Sequence, residues 1–276
     1  MHGSVPAPLG HLGPCPTDPL EAMIRPGLVS ITFRKLSPAE IIGLCVGSQL
    51  EGIEWGGDVH VPHGDRDTAS RVAQLTREAG LEVAAYGSYY RAGSGDQDLP
   101  FAKVLDSAIA LGAPVVRVWA GKCGSADASP DFRAAVADDL GRCADLARTE
   151  GISVALEFHG GTLTDTAESA ADLMKVLDGS GVRLYWQPPV GLPPDAAVRG
   201  LRHVLPWVDH VHVFAWRKDA EGILRLPLAE DAGPWAQYLD ALPSRKQDRW
   251  ALLEFVRGDD PAHLSADAAV LRSWLA

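Results

Sequence analysis

The sequence has few cysteines and no long apolar run. Only four of its 276 residues are cysteine, and they are widely spaced, without a C-x-x-C pair: Cys15, Cys45, Cys123 and Cys143. This spacing argues against a disulfide framework, so a reducing cytoplasm is the expected location. No stretch of about 18 apolar residues occurs, and we therefore expect neither a membrane span nor a membrane partner.

Positive charge is also scarce. The chain has 25 Lys and Arg residues against 36 Asp and Glu residues, which gives a net charge of -11. A general nucleic-acid binder gains much of its affinity by neutralising phosphates, so this balance disfavours nucleic acid as a partner. Hydrophobic residues make up 46% of the chain, enough for a sizeable core, and the length fits one large α/β domain.

The first 26 residues differ in composition from the rest. They are rich in Pro and Gly and lack the apolar segment of a secretory signal. We expect residues 1–26 to form a poorly ordered extension and residues 27–276 to form a single folded domain.

From Leu28 onward one unit recurs: an apolar run, a polar loop, an amphipathic segment and a glycine that suits a helix C-terminus. The runs are continuously apolar, as in parallel strands covered on both faces. The predicted strands are 28–33, 51–55, 82–87, 115–119, 152–158, 182–187, 209–214 and 250–255. The predicted helices are 37–49, 67–79, 97–111, 131–150, 166–178, 195–205, 232–242 and 261–275.

Eight such units in about 250 residues predict an α/β fold, a single (β/α)8 TIM barrel. A doubly wound open sheet is the alternative, but no G-x-G-x-x-G follows the first predicted strand. One insertion, Trp216 to Asp231, separates the seventh strand from its helix. We expect it to form a small hairpin at the barrel mouth.

In a TIM barrel the C-terminal ends of the strands converge on one pocket. The stretch "ALEFHGG" places Glu157 and His159 at the end of the fifth strand, two residues apart and so on the same side of an extended chain. "HVH" places His212 near the end of the seventh strand, and "LLEF" places Glu254 at the end of the eighth. Carboxylates and an imidazole suit Mn²⁺, Mg²⁺, Co²⁺ or Zn²⁺, and carboxylates beside such an ion can move a proton next to a carbonyl.

The strand ends "LEFH", "YWQP", "HVH" and "LLEF" resemble those of the sugar phosphate isomerase/epimerase family, with its xylose isomerase-like TIM barrel. The resemblance covers roughly residues 27 to 276. It implies one divalent ion held by Glu, Asp, His and Glu, with the two Glu residues also acting as the acid/base pair. Glu157, His212 and Glu254 match three of these positions, whereas Gln187 stands where the family has Asp.

Further side chains at predicted strand ends and loops are candidates for substrate binding: Glu54, His60, Trp119, His159, Trp186 and Arg217. Each has a structural alternative. Tryptophan commonly packs in a barrel core, Arg217 fits a solvated hairpin face, and His159 fits a surface loop. We expect His210, two residues before His212, to be a buried core or supporting histidine.

These observations predict a metal-dependent isomerase or epimerase of carbohydrate metabolism. It would act on a small sugar or related hydroxy-carbonyl compound through an enediolate, with Glu157 and Glu254 as the catalytic residues. A lyase or dehydratase using the same enolising step is the alternative, and a non-catalytic sugar-binding barrel is a third possibility, motivated by Gln187. A trinuclear zinc DNA-repair endonuclease of the same fold needs a larger His/Asp set than the sequence offers. A homo-oligomer is compatible with the sequence.

Overall fold

The computed structural model describes residues 23–95, 99–242 and 248–276. Eight parallel strands close into a barrel in the order β1-β2-β3-β4-β5-β6-β7-β10 and back to β1. The barrel strands are β1 Ile24–Val29, β2 Gly52–Gly56, β3 Glu82–Arg91, β4 Val115–Trp119, β5 Ser153–Glu157, β6 Arg183–Trp186, β7 Val208–Val213 and β10 Arg249–Leu253. The predicted single TIM barrel is therefore confirmed.

A helix follows each barrel strand and covers its outer face. The helices are α1 Pro38–Gly47, α2 Arg66–Glu78, α3 Phe101–Leu111, α4 Pro130–Thr149, α5 Ala167–Val176, α6 Pro194–Val204, α7 Ala232–Ala241 and α8 Leu264–Leu275. Their starts and stops follow the sequence. Ser37 and Glu40 form a reciprocal capping box at α1, and Gly112 ends α3 with φ +70°. Within the described residues, no helix has the length and apolarity that crossing a membrane requires.

The first strand differs from its prediction. It spans Ile24–Val29 rather than 28–33, and residues 30–33 form a 3-10 turn. Pro26 and Gly27 are residue types that usually interrupt a strand, yet both pair in register with β10. A Cβ on Gly27 would lie 2.6 Å from Leu252 and 2.8 Å from the carbonyl oxygen of Gly52, so the strands close only around a glycine.

The domain boundary shifts with this strand. Residues 24–26, predicted to belong to the extension, are part of the barrel. Met23 precedes the strand, and residues 1–22 of the predicted extension lie outside the described residues. The predicted hairpin is present: β8 (Trp216–Lys218) and β9 (Ile223–Arg225) pair antiparallel. Trp216 lines a cavity together with Glu157 and Glu254, which places the hairpin at the barrel mouth.

The inside of the barrel is filled by two kinds of side chain. One cluster is almost entirely apolar and contains Val29, Ile31, Ala84, Ala85, Val115, Ala155, Tyr185, Trp250 and Leu252. The other is charged and lies toward the C-terminal ends of the strands. It contains Glu54, Arg117, Glu157, His212 and Glu254, all of them buried. We call these the apolar layer and the charged layer.

Candidate active site

Four neighbouring strands deliver the predicted metal ligands to one place. Glu157 is the last residue of β5, Gln187 follows β6 directly, His212 is the last residue but one of β7, and Glu254 follows β10 directly. Because the strands are parallel, these positions meet at one end of the barrel. One ligand atom from each of Glu157, His212 and Glu254 lies within 4.8 Å of the others.

The donor atoms surround Nδ1 of His212. This nitrogen lies 3.2 Å from Oε1 of Gln187, 3.5 Å from Oε2 of Glu254 and 3.7 Å from Oε1 of Glu157. Donor atoms that share a divalent ion at about 2.1 Å lie roughly 3.0–3.4 Å apart in octahedral or tetrahedral geometry. The spacing and the donor types therefore fit a divalent cation.

Gln187 is oriented by the backbone of the preceding strand end. Its Nε2 donates to the carbonyl oxygen of Phe158 at 2.7 Å. Because a carbonyl only accepts hydrogen bonds, this contact assigns the amide nitrogen and turns Oε1 toward His212. Gln187 thus presents a neutral oxygen to the cluster, where an aspartate would present a charge.

Glu54 supports His212 from the side opposite the other donors. Its Oε2 lies 3.3 Å from Nε2 of His212, and its Oε1 accepts from Nε of Arg117 at 2.8 Å. A carboxylate on the far nitrogen of a ligating histidine fixes the ring and its tautomer. The exposed fraction of Glu54 is 0%, so it lies beneath the donors, and its role in substrate binding stays a prediction.

Arg117 joins Glu54 to Glu157. Its NH1 donates to Oε2 of Glu157, and the same oxygen accepts from Nε1 of Trp119 at 2.5 Å. Burial by itself would raise the pKa of Glu157, but the charge of Arg117 together with the hydrogen bond and charge of His212 holds that pKa far below its usual range. Glu157 is therefore ionised, with one oxygen bound to these donors and the other facing His212.

The ion pair between Glu54 on β2 and Arg117 on β4 passes over the intervening strand β3 at Gly87. A Cβ on Gly87 would lie 2.5 Å from Oε1 of Glu54 and 2.7 Å from NH2 of Arg117. No side chain fits there while both charged groups are present. The ion pair therefore requires a residue without a side chain, a glycine, at position 87.

Above the donor cluster lies a cavity of about 210 Å³. Its wall combines titratable, aromatic and apolar side chains. They are Ile31, Arg34, Tyr89, Arg117, Trp119, Glu157, His159, Gln187, Trp216, Glu254 and Phe255. Trp119 and His159 were predicted to bind substrate, and both reach this cavity, with their rings 4.9 Å apart.

Several lining residues were not among the predicted substrate-binding residues. NH2 of Arg34 donates to the hydroxyl of Tyr89 at 2.6 Å, and its Nε donates to Asp58 at 2.8 Å. Tyr89 stands in the predicted third strand end, which was a usable signal. Arg34 and Phe255 come from segments whose turn geometry the strand pattern does not specify.

Three other predicted substrate-binding residues lie elsewhere. His60 is buried, with its ring nitrogens near Oγ of Ser30 and the carbonyl oxygen of Leu36. Trp186 points outward from the barrel and packs 5.1 Å from the ring of Tyr238 on α7. Arg217 forms two hydrogen bonds with Asp231. None of the three side chains lines the cavity above the donors, and their roles in substrate binding stay predictions.

Comparison with a family model decides which barrel family this is. The model for the xylose isomerase-like TIM barrel matches residues 43–274. The chain belongs to this family. The match begins within α1 and ends within α8, and so includes every residue of the donor cluster.

Named relatives of the barrel are enzymes. A 3-dehydroshikimate dehydratase of Bacillus anthracis is 27% identical over 199 residues, which cover 67% of this chain and 69% of that protein. The crystal structure of the probable 3-DHS dehydratase AsbF of the same organism has a TM-score of 0.73 at 22% identity and covers 91% of this chain and 99% of its own. A D-allulose 3-epimerase from Methylomonas sp. has a TM-score of 0.70 at 15% identity, with coverage of 92% and 99%.

Proposed function

We propose that this xylose isomerase-like barrel is a divalent-metal-dependent enzyme that removes a proton next to the carbonyl of a small polyhydroxy compound. The observation that supports this most is the donor cluster itself. Two carboxylates, an imidazole nitrogen and an amide oxygen converge beneath a cavity of about 210 Å³. An ion held by Glu157, Gln187, His212 and Glu254 would polarise the carbonyl oxygen of the substrate.

The two glutamates have unequal surroundings, which supports different roles for them. Oε2 of Glu157 accepts hydrogen bonds from Arg117 and Trp119, and such contacts weaken a carboxylate as a base. Glu254 lines the same cavity, and its Oε2 lies 3.5 Å from Nδ1 of His212. We therefore assign proton abstraction to Glu254 and orientation of the substrate oxygens to Glu157.

The enolised substrate has two outcomes, and the first candidate is dehydration. The proton leaves the carbon next to the carbonyl, the C–O bond on the following carbon breaks, and the hydroxyl departs as water after receiving a proton. His159 lines the cavity, and we assign its imidazole as the group that supplies this proton. The dehydratase relative at 27% identity favours this outcome.

The second candidate is isomerisation or epimerisation of a ketose. Here the abstracted proton returns to carbon, so the second titratable group must reach the carbon skeleton instead of a hydroxyl oxygen. The fold similarity to D-allulose 3-epimerase favours it. Both candidates share the first step and the same donor cluster.

One experiment separates these outcomes. The protein, stripped of metal and reloaded with Mn²⁺, is incubated in D₂O with 3-dehydroshikimate and, separately, with D-allulose. Dehydration of 3-dehydroshikimate yields an aromatic product with a new ultraviolet band, whereas epimerisation leaves deuterium at the carbon next to the carbonyl. The ultraviolet band and the deuterium incorporation should both disappear in Glu254→Gln. Binding of Mn²⁺ without deuterium exchange or turnover of either compound would overturn the enolising function.

A further inference from the structure

Phe255 has a backbone conformation that aromatic residues rarely adopt. Its φ is +62°, and among the described residues only Gln49 and Asp259 are other non-glycine residues with positive φ. In this region the Cβ of an L-residue crowds the following carbonyl oxygen, which makes a bulky side chain there an outlier. Strain of this kind persists where the surrounding structure enforces it, often at functional sites.

The strained backbone changes where the side chain points. Consecutive residues of an extended strand face opposite sides, so Phe255 would turn away from the barrel interior if β10 continued past Glu254. Instead Glu254 and Phe255 line the same cavity. The left-handed turn at Phe255 therefore adds an aromatic ring to the wall beside the assigned base.

Contacts on three sides hold the ring in this place. The backbone N–H of Phe255 donates to Oγ1 of Thr32 at 2.9 Å. The guanidinium of Arg225 lies 3.8 Å from the ring centre, and the ring of Trp216 lies 5.6 Å away. Trp216 in turn stacks on Phe214 at 4.0 Å, so the hairpin and the last barrel strand form one aromatic wall.

We infer that Phe255 is a positioning residue, whose ring presses the substrate toward Glu254 for proton abstraction. The inference rests on the proposed function, because it needs a substrate between the ring and the donor cluster. A glycine at this position would relieve the backbone strain but would leave no ring. A role of the ring in orienting the reacting carbon explains why a phenylalanine, and not a glycine, stands at this strained position.

The backbone part is tested by stability alone. At a left-handed position Gly is favoured over Ala, whereas in an ordinary helical turn Ala is favoured. We expect Phe255→Gly to melt about 3 °C above Phe255→Ala. The control pair is Phe33→Gly and Phe33→Ala, in the 3-10 turn after β1, for which we expect the reverse order. Equal melting temperatures of Phe255→Gly and Phe255→Ala, or a higher melting temperature of Phe255→Ala, would overturn the inference.

The ring part is tested by kinetics on Mn²⁺-loaded protein with whichever of 3-dehydroshikimate and D-allulose the wild type converts. Loss of positioning should lower kcat about 100-fold in Phe255→Gly, with a smaller change in KM, and Phe255→Tyr should keep kcat within a few-fold of wild type. Calorimetric binding of Mn²⁺ should be equal in all variants.

The outcomes separate this role from the function on which it rests. A change confined to KM, a normal kcat in Phe255→Gly, or equal losses in the Gly and Tyr variants would overturn the positioning role alone. Loss of Mn²⁺ binding in Phe255→Gly would overturn it too, because the ring would then act through the metal centre. A wild type that converts neither compound would overturn the proposed function, and this role with it.

Discussion

His210 and His212 stand two residues apart on β7, yet their ring nitrogens have different partners. His210 lies against Tyr185 of the apolar layer, with ring centres 4.8 Å apart, and its Nδ1 accepts from the backbone N–H of Trp250. Burial lowers the pKa of His210 to about 4. Burial would also lower the pKa of His212, but the carboxylates of Glu254 and Glu54 raise it well above its usual value.

The difference shows that burial alone does not decide what a histidine does in this barrel. Both rings are buried and both face the inside, since side chains two apart on a strand share one side. The ring of His210 accepts from a neutral backbone N–H and packs against Tyr185 as part of the core. The other has carboxylates near both nitrogens and fits a metal ligand. Two residues along β7 therefore separate a histidine that packs in the core from one that lies among the candidate metal ligands.

The largest expected effect comes from neutralising the charged layer at the cavity. Glu254→Gln and Glu157→Gln should each lower kcat by about 10²- to 10⁴-fold while the protein stays folded, because each removes a carboxylate from the reaction site. Circular dichroism and steady-state kinetics check this. Glu150→Gln, on the exposed C-terminal end of α4, is the matched control and should keep wild-type activity. Activity that survives in both variants would move the proton transfer to other residues.

The second effect concerns the ion pairs that hold the charged layer. Arg117→Met should lower the free energy of unfolding by about 3–5 kcal/mol, because Glu54 and Glu157 are left buried without their cation. Arg183→Met removes the partly exposed pair with Asp209 and should change it by about 1 kcal/mol or less. Urea denaturation of both variants measures the difference. Similar values would mean that Arg117 is less important to the fold than its burial indicates.

A third test compares the two histidines directly. Mn²⁺ at 100 times its Kd should stabilise the wild type by about 2.7 kcal/mol. The same addition should stabilise His210→Phe to the same extent, although that variant starts about 1–3 kcal/mol lower because the N–H of Trp250 loses its acceptor. It should leave His212→Phe unchanged. Thermal unfolding with and without Mn²⁺ decides; stabilisation of the His212 variant would place the ion elsewhere.

The smallest effect tests the neutral oxygen of Gln187. A full charge about 3 Å from a divalent ion contributes about 3 kcal/mol even in water, and desolvation offsets part of that. Gln187→Asp should therefore bind Mn²⁺ roughly 10- to 100-fold more tightly, although the shorter side chain gives up the hydrogen bond to Phe158. Gln187→Leu should bind more weakly than wild type. Calorimetric titration of metal-stripped proteins that gives three equal affinities would exclude Gln187 as a ligand.

The sequence predicts this fold well because its signals are local and repeated. Apolar runs recur eight times and several helices end at a glycine such as Gly112, and a barrel brings all the strand ends together without further information. The first strand was misplaced because its limits depend on distant pairing. Pro26 and Gly27 join the barrel through β10, more than 200 residues later in the chain.

The donor cluster was predictable for the same reason, since strand ends converge whatever the loops do. The substrate-binding residues were harder. Trp186 and Gln187 are neighbours, so one must face the helices if the other faces the cavity, and strand alternation alone could have excluded Trp186. Phe255 escapes this rule because its backbone turns left-handed. Glu54 has the right direction but lies beneath the donors, a depth that the sequence does not give.

The gap at Gly87 has a consequence for how this chain can change over time. Glu54 and Arg117 occupy the volume that a side chain at position 87 would need, so substitutions at the three positions depend on one another. A mutation that adds a methyl group at position 87 is blocked while both charged residues remain. Loss of Glu54 leaves Arg117 with Glu157 as its remaining partner, whereas loss of Arg117 leaves Glu54 and Glu157 buried without a guanidinium. A side chain can therefore appear at position 87 of β3 only after Glu54 on β2 or Arg117 on β4 has been replaced, which fixes the order in which substitutions can occur.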